Sequence, residues 1–492
     1  MLSGLPRCAR LCHGQVRCIA DGASSRLQVV VAGCGVSGTS TAMHLTQRGA
    51  DVTLVDPRPP LTATSQYSTE SYRNFFMDAA LVPFMSRSVD IMEDLAGEDN
   101  VFNLNRRGYC FLTASQEGAD SFEHFAATAS SFGAGPVRRH RSSESYVRSP
   151  SRGFQHPEMV GFDLVYGPEA IRDIFPFVTE RAEVMLHARR CGWMDGVGLG
   201  ATMLQAAKEG RGDRGGLAQV VQGSVEGIDL VGDQVTCVRV IKRDGEELAL
   251  SCDAFVNAAG AWMPALNALL APEDPLPLVN ELHAKVVLND SLGVIPQDEA
   301  PFMVWRDGTT LDWDDETKEG LQELDDTAEG GIVNSAKWLG RQPGGQHLRP
   351  AGNGRVCLLW EHLHRHVQLP ASPSMPVDEF LDMYPQLCVA GLQAMVPGLG
   401  RYDGCLGRDT TVDGGYYSVT PDGRPIIGRH GARNAFVCGG MGTYGFMGSP
   451  AAGELAALHV LGSELPAYAS ACTWPRENPL TEKPIDLLDE SA

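Results

Sequence analysis

The apolar run Leu27–Ala32 ends in Gly33-Cys34-Gly35-Val36-Ser37-Gly38, and a second apolar run, Val52–Val55, closes on Asp56. Strand, glycine turn, helix, strand and acid follow one another at the spacing of a parallel βαβ unit that holds a dinucleotide. Gly33 permits the tight turn, Gly35 lets the backbone approach a pyrophosphate, and Gly38 lets the helix pack close to the sheet. The helix N-terminus offers unpaired N–H groups and positive dipole to phosphate, and Asp56 accepts hydrogen bonds from the adenosine ribose.

At 492 residues the chain exceeds what one hydrophobic core serves, so two domains, interleaved, are expected. A formal net charge of -21 excludes a nucleic-acid partner or an anionic membrane surface, because both would repel it. No apolar run approaches the length of a transmembrane segment. The 13 cysteines include no CxxC pair, which indicates reduced thiols. Cys8, Cys12 and Cys18 lack a second pair at ligand spacing, so no zinc is assigned there. Residues 1–20 carry Arg7, Arg10 and Arg17 and no acid, the pattern of an organellar presequence or a disordered tail. The expected location is the mitochondrial matrix, with plastid or cytoplasm as alternatives.

Beyond Asp56, the polar loop Thr62–Ser71 leads into Tyr72-Arg73-Asn74-Phe75-Phe76 and a helical stretch, Leu81–Leu95. Loops here lie at the carboxyl ends of the strands, where open parallel sheets bind ligands. Ala254–Trp262 reads as a buried strand ending in small residues and glycine. Ala435–Cys438, the loop Gly439–Gly448 and the helical run Pro450–Leu461 repeat the order strand, glycine loop, helix. The fold class expected is α/β plus α+β: a Rossmann-like nucleotide-binding domain interleaved with an antiparallel-sheet substrate domain. The boundaries expected are a tail at 1–26, nucleotide-binding parts at 27–95, 185–270 and 396–465, substrate parts at 96–184 and 271–395, and a C-terminal tail at 466–492.

The first glycine motif, the Val256–Trp262 stretch, the segment Thr420-Pro421-Asp422-Gly423-Arg424-Pro425-Ile426-Ile427-Gly428 and the last glycine loop occur in an order that resembles the D-amino-acid oxidase and sarcosine oxidase superfamily of FAD enzymes. The resemblance implies FAD rather than a nicotinamide. By position it implies that Gly33, Gly35, Ser37 and Gly38 cradle the pyrophosphate, with Asp56 and Arg58 at the ribose. It implies that Val225 meets adenine through its backbone, that Ala259 and Gly260 pass along the dinucleotide, and that Gly440, Gly442 and Met447 approach the flavin ring. The helix after Gly448 would offer positive dipole to the charge of a reduced flavin. In part of the superfamily a cysteine tethers the flavin. Gly415 stands near that place and Cys405 is off register, so noncovalent FAD is expected.

On the substrate side, Arg73 matches an arginine that holds a substrate carboxylate in sarcosine-oxidase-like members. Its fork suits two parallel hydrogen bonds. The lysine partner of that pattern is replaced by Met447, which binds no anion. Tyr444 could donate a hydrogen bond, and His347, Arg349 and Trp360 are further pocket candidates. His362, His364 and His366 alternate along the chain, but spacing implicates no carboxylate or cysteine beside them, so no metal is assigned.

The catalytic residues expected are thus Arg73, Tyr444 and His347. The activity implied is an FAD-dependent oxidoreductase that oxidises a C–N bond of a secondary or tertiary amine or an amino acid derivative by hydride transfer to flavin N5. Oxygen, an electron-transfer flavoprotein or a quinone is the acceptor. The alternatives are a flavin dehydrogenase of a hydroxy acid or polyol with His347 as base, and a non-catalytic FAD-binding assembly or scaffold protein in an organelle.

Overall fold

The computed structural model describes residues 17–19, 26–210, 215–327, 338–361, 363–367, 369–370, 379–406 and 410–476. Most of the expected tail at 1–26 lies outside these residues, as does His362. Within that tail, Arg17–Ile19 forms a strand parallel to Glu247–Ser251.

Valine-rich Gln28–Ala32 and Asp51–Asp56 are buried along almost their whole length, as strands covered on both faces must be. They pair in parallel through the helix Val36–Gln47. The same sheet of nine strands adds Ala254–Asn257 and Ala435–Gly439, both parallel, on the other side of Gln28–Ala32. Strand order therefore reverses at Gln28–Ala32, and its carboxyl end opens onto the crevice where such sheets bind ligands. Two backbone features hold this edge together. Gly33 has φ +107°, and an added Cβ would stand 2.3 Å from the Ala258 carbonyl oxygen, so neighbouring strand ends meet without room for a side chain. At Gly453 an added Cβ would stand 2.2 Å from Ser40 Oγ, which lets the C-terminal helix Gly445–Leu461 lie directly on Val36–Gln47.

A second sheet of ten strands runs from His364–Val367 through Val279–Asn289, Arg355–Trp360, Gln346–Gly352 and Phe302–Trp305 to Tyr109–Thr113, Val184–Ala188, Phe162–Tyr166 and Val137–His140. Thr410–Val419 pairs with Val279–Asn289 off this path. The sheet is antiparallel except for two parallel pairs, Val137–His140 with Phe162–Tyr166 and Phe302–Trp305 with Tyr109–Thr113. Each parallel pair joins strands separated by a long connection, the topology that parallel pairing requires.

Three expected boundaries shift. Val184–Ala188 belongs to the second sheet, so that segment runs past 184. Thr410–Val419 also belongs there, although 396–465 was expected to be nucleotide-binding throughout; its Asp413-Gly414-Gly415 interior masks the strand pattern. The C-terminal tail begins later than 466, because Arg476 is buried in a two-pronged pair with Asp422 at 2.6 and 3.0 Å. The Thr420–Gly428 segment is thus pinned from two sides, since Arg424 pairs with buried Asp78 at 2.7 Å.

Candidate active site

The carboxyl edge of the first sheet opens into a cleft, the place where open parallel sheets bind small molecules. Gly33, Gly35, Ser37, Asp56, Arg58, Ala259, Gly260, Gly440 and Gly442 all line it. Asp56 accepts from the Cys34 N–H at 3.0 Å on Oδ2, and from the Arg58 N–H and Nε at 3.0 and 3.2 Å on Oδ1. A carboxylate has about four acceptor positions, so one remains with Arg58 in place. The Arg58 guanidinium also lies 4.3 Å from the centre of the Trp262 ring and closes one wall of the cleft.

Hydrogen bonds fix the loops of this wall. Asn257 donates to the Met263 carbonyl at 3.0 Å and accepts from the Ala259 N–H at 3.3 Å, shaping the turn after its strand. Asn280 donates to the Ala261 carbonyl at 3.0 Å, and Thr64 Oγ1 donates to the Tyr416 carbonyl at 3.0 Å, so both sheets grip the cleft. A glycine turn, a single remaining carboxylate acceptor and a cationic wall fit a dinucleotide. Of the other positions expected to hold one, Gly38 packs the helix instead: an added Cβ would meet the Gly33 carbonyl oxygen at 2.0 Å. Val225 sits at an irregularity of strand Ala218–Val231, three residues beyond Gln222, the register partner of Asp56, and outside the cleft lining.

A second cavity shares Tyr417 and Thr443 with the cleft. Arg73, His347, Trp360 and Met447 line it, so Met447 stands in the adjoining cavity rather than in the cleft with Gly440 and Gly442. Arg73 is 3 % exposed and lies over the Phe75 and Phe76 rings, 5.2 and 4.4 Å from their centres. His347 Nδ1 is 2.7 Å from the Gly345 carbonyl oxygen, so Nδ1 carries the proton and Nε2 is left as an acceptor. Burial lowers the His347 pKa to about 4, the hydrogen bond to Gly345 opposing and the Arg73 charge adding to it. The ring is therefore neutral at pH 7. It stacks on Phe302, which stacks on Tyr109.

Two expected pocket residues face elsewhere. Tyr444 lines neither cavity; it is buried edge-on to Phe76, its hydroxyl without a hydrogen-bond partner among the described residues. Arg349 pairs with Glu70 at 3.2 Å and donates to the Thr69 carbonyl at 2.9 Å, holding the polar loop to the second sheet. The residues that join the two cavities, Tyr417 and Thr443, were not singled out from sequence, and neither was His283 in the second cavity. Tyr417 follows Tyr416 in a segment without apolar alternation, and only cross-strand pairing reveals where it faces.

Cys438 lines the cleft, and burial pushes its thiol pKa up to about 12. Cys405 is exposed and outside the lining. At Gly415 an added Cβ would stand 2.9 to 3.2 Å from Thr64, so close packing of the loop accounts for the glycine.

The family model described as FAD dependent oxidoreductase, DAO, matches residues 28–312 and 323–458. Among solved structures, L-proline dehydrogenase from P. horikoshii is similar with a TM-score of 0.64 at 20% identity, covering 90% of this chain and 96% of that one. Glycine oxidase from Bacillus cereus gives 0.62 at 14% identity, covering 92% and 100%. L-alpha-glycerophosphate oxidase from Mycoplasma pneumoniae, with FAD bound, gives 0.60 at 13% identity, covering 91% and 98%. No curated protein sequence matches this chain.

Proposed function

The chain belongs to the DAO family of FAD-dependent oxidoreductases, and we propose that it oxidises the C–N bond of a secondary or tertiary amine or amino acid derivative that carries a carboxylate. The observation that carries this reading is the buried Arg73 guanidinium in a cavity that meets the cofactor cleft at Tyr417 and Thr443. A desolvated guanidinium seated on aromatic rings binds a carboxylate with two charge-assisted hydrogen bonds and fixes its direction. The Met447 and Phe302 side chains give the substrate body an apolar wall.

Bound FAD would supply the redox chemistry as a two-electron acceptor, and the residues lining the two cavities would hold it and the substrate. Orientation is the protein's share, since holding the reacting C–H in place removes much of the entropic barrier. Neutral His347 has Nε2 as an acceptor and can align the N–H of a secondary amine or amino acid without taking its proton. The imine formed hydrolyses to a carbonyl compound and freed amine. Glycine oxidase and L-proline dehydrogenase, by their names, act on amines with a carboxylate, which supports the same class.

A hydroxy-acid substrate would need a base at the hydroxyl. A histidine with its pKa lowered to about 4 is poorly matched to that task at neutral pH, which favours the amine. FAD is held without a covalent bond in this reading, because Cys438 is kept a thiol and Gly415 offers no side chain. The arginine-bearing N-terminal segment supports a mitochondrial matrix location, tested by following a fluorescent fusion of the full chain.

Anaerobic mixing of the purified protein with N-methyl amino acids, amino acids, simple amines and hydroxy acids tests the proposal. Bleaching of the flavin by carboxylate-bearing amines is expected. Bleaching by hydroxy acids alone, or by none, would overturn it.

A further inference from the structure

We propose that the strand pair Val279–Asn289 and His364–Val367 of the second sheet carries a binding site for a divalent transition-metal ion, formed by Glu281, His283 and His364. Glu281 and His283 are two residues apart on Val279–Asn289, so their side chains project from one face. In the adjacent strand His283 is register partner to His364, and Glu281 to His366. Pairing thus sets a carboxylate and three imidazoles at the corners of a square on a single face.

The side chains converge. His283 Nε2 lies 2.9 Å from Glu281 Oε2, and His364 Nε2 lies 3.8 Å from Glu281 Oε1. One ligand atom from each of Glu281, His283 and His364 falls within 4.8 Å of the others. Neighbouring ligand atoms around tetrahedral zinc, with bonds of about 2.0–2.1 Å, stand about 3.3 Å apart. Small rotations close this triad onto an ion. His366 Nδ1, 3.9 Å from Glu281 Oε1, is within reach as a fourth ligand.

Supporting contacts match a metal site. His364 Nδ1 is 3.0 Å from the Glu361 carbonyl oxygen, which fixes the proton on Nδ1 and leaves Nε2 to bind metal. The His283 ring is clamped between His364 and Tyr417, with ring centres 5.0 and 4.5 Å away. Side-chain exposures of 31 % for His364 and 15 % for Glu281 leave a path for the ion. Two imidazoles and one carboxylate suit zinc and its transition-metal neighbours rather than magnesium or calcium, which prefer oxygen donors. His283 and Tyr417 also line the second cavity, so the ion would sit at its rim.

Calorimetric titration of the FAD-loaded full chain with Zn2+, and absorption of the Co2+ form, tests the site. One equivalent of Zn2+ is expected to bind, with none of Mg2+. His364→Gln and Glu281→Gln should each weaken Zn2+ at least about tenfold with FAD content unchanged, since even supporting contacts are worth 10- to 100-fold in metal affinity. His124→Gln, an exposed histidine on the helix Gln116–Ser131, should bind as the parent does. Absence of saturable Zn2+ binding, or equal affinity in the parent and both variants, would overturn the proposal. If one variant loses FAD, the other decides, and the Co2+ spectrum of the parent must still show imidazole coordination.

Discussion

Replacing Gly33 by Ala probes the junction on which the cofactor cleft depends. The residue has φ +107°, and the added Cβ would stand 2.3 Å from the Ala258 carbonyl oxygen and 2.7 Å from its carbon. A side chain in this backbone region costs about 1–3 kcal/mol. Overpacking against backbone that has no rotamer to yield adds about 1–3 kcal/mol. Relief comes only by separating the ends of strands Gln28–Ala32 and Ala254–Asn257, which carry Gly33 and Ala259 into the cleft. If a quarter of the upper sum, about 1.5 kcal/mol, reaches the bound state, FAD affinity falls about tenfold. Gly97→Ala is the matched control: its φ is +61°, nothing lies within 4 Å of the added Cβ and it lies outside the cleft lining, so only the backbone cost applies. Fluorescence titration of the apoprotein with FAD measures both variants, with thermal unfolding alongside. Wild-type FAD affinity and unfolding temperature in Gly33→Ala would show that the strand ends can separate at no cost to the cleft, and equal effects of the two substitutions would rule out the Ala258 contact as the cause.

Arg73→Ala should retain FAD and raise KM for a carboxylate-bearing amine at least about tenfold, because a charged hydrogen-bond pair is worth about 1.5–3 kcal/mol; Arg73→Lys should recover only part of this, and steady-state kinetics on both variants decides. Acid precipitation of the holoprotein should release the yellow colour to the supernatant, and colour kept in the pellet would contradict noncovalent attachment. Burial lowers the pKa of His44, helped by Arg48, and of His347, each to about 4 from the usual 6.5. Between these values the unfolded chain binds more protons, so stability is complete above pH 6.5 and is lost as pH falls toward 4, by about 3 kcal/mol per histidine. Urea unfolding at pH 7 and pH 4.5 should show this loss, and His347→Gln should remove its share of the slope. Glu454→Gln, which loosens the pair with Arg87 at 2.7 Å, should cost about 1 kcal/mol in the same assay, because Arg87 is 42 % exposed and partly screened.

The nucleotide half of the molecule was legible because its signals are local. A buried valine run, a turn that only glycine can make and an acid at the next strand end are each fixed within a few residues of sequence, and Gly33 and Asp56 line the cleft together with Gly440, which only the family resemblance singled out. Pairing across long separations was not legible. Thr410–Val419, rich in glycine and hydroxyl residues, joins the second sheet only through its register with Val279–Asn289, and that register brings Tyr417 between cleft and cavity. The same holds for Glu281, which lies far in sequence from His364 and His366 yet faces both across one strand pair. Tyr444 shows the converse limit. Its place in a glycine loop suggested a polar contact, but the turn into the helix Gly445–Leu461 directs the ring onto Phe76.

In the proposed reaction Arg73 and His347 present an amine with a carboxylate to FAD for C–N oxidation. Its most direct measurement is product analysis after anaerobic reduction of the enzyme-bound flavin by an N-methyl amino acid and, separately, by the hydroxy acid of the same carbon skeleton. One carbonyl compound and one freed amine per flavin reduced, with the hydroxy acid leaving the flavin oxidised, is the predicted result. Flavin reduced by the hydroxy acid alone, or reduced by the amine without release of carbonyl and amine, would contradict it.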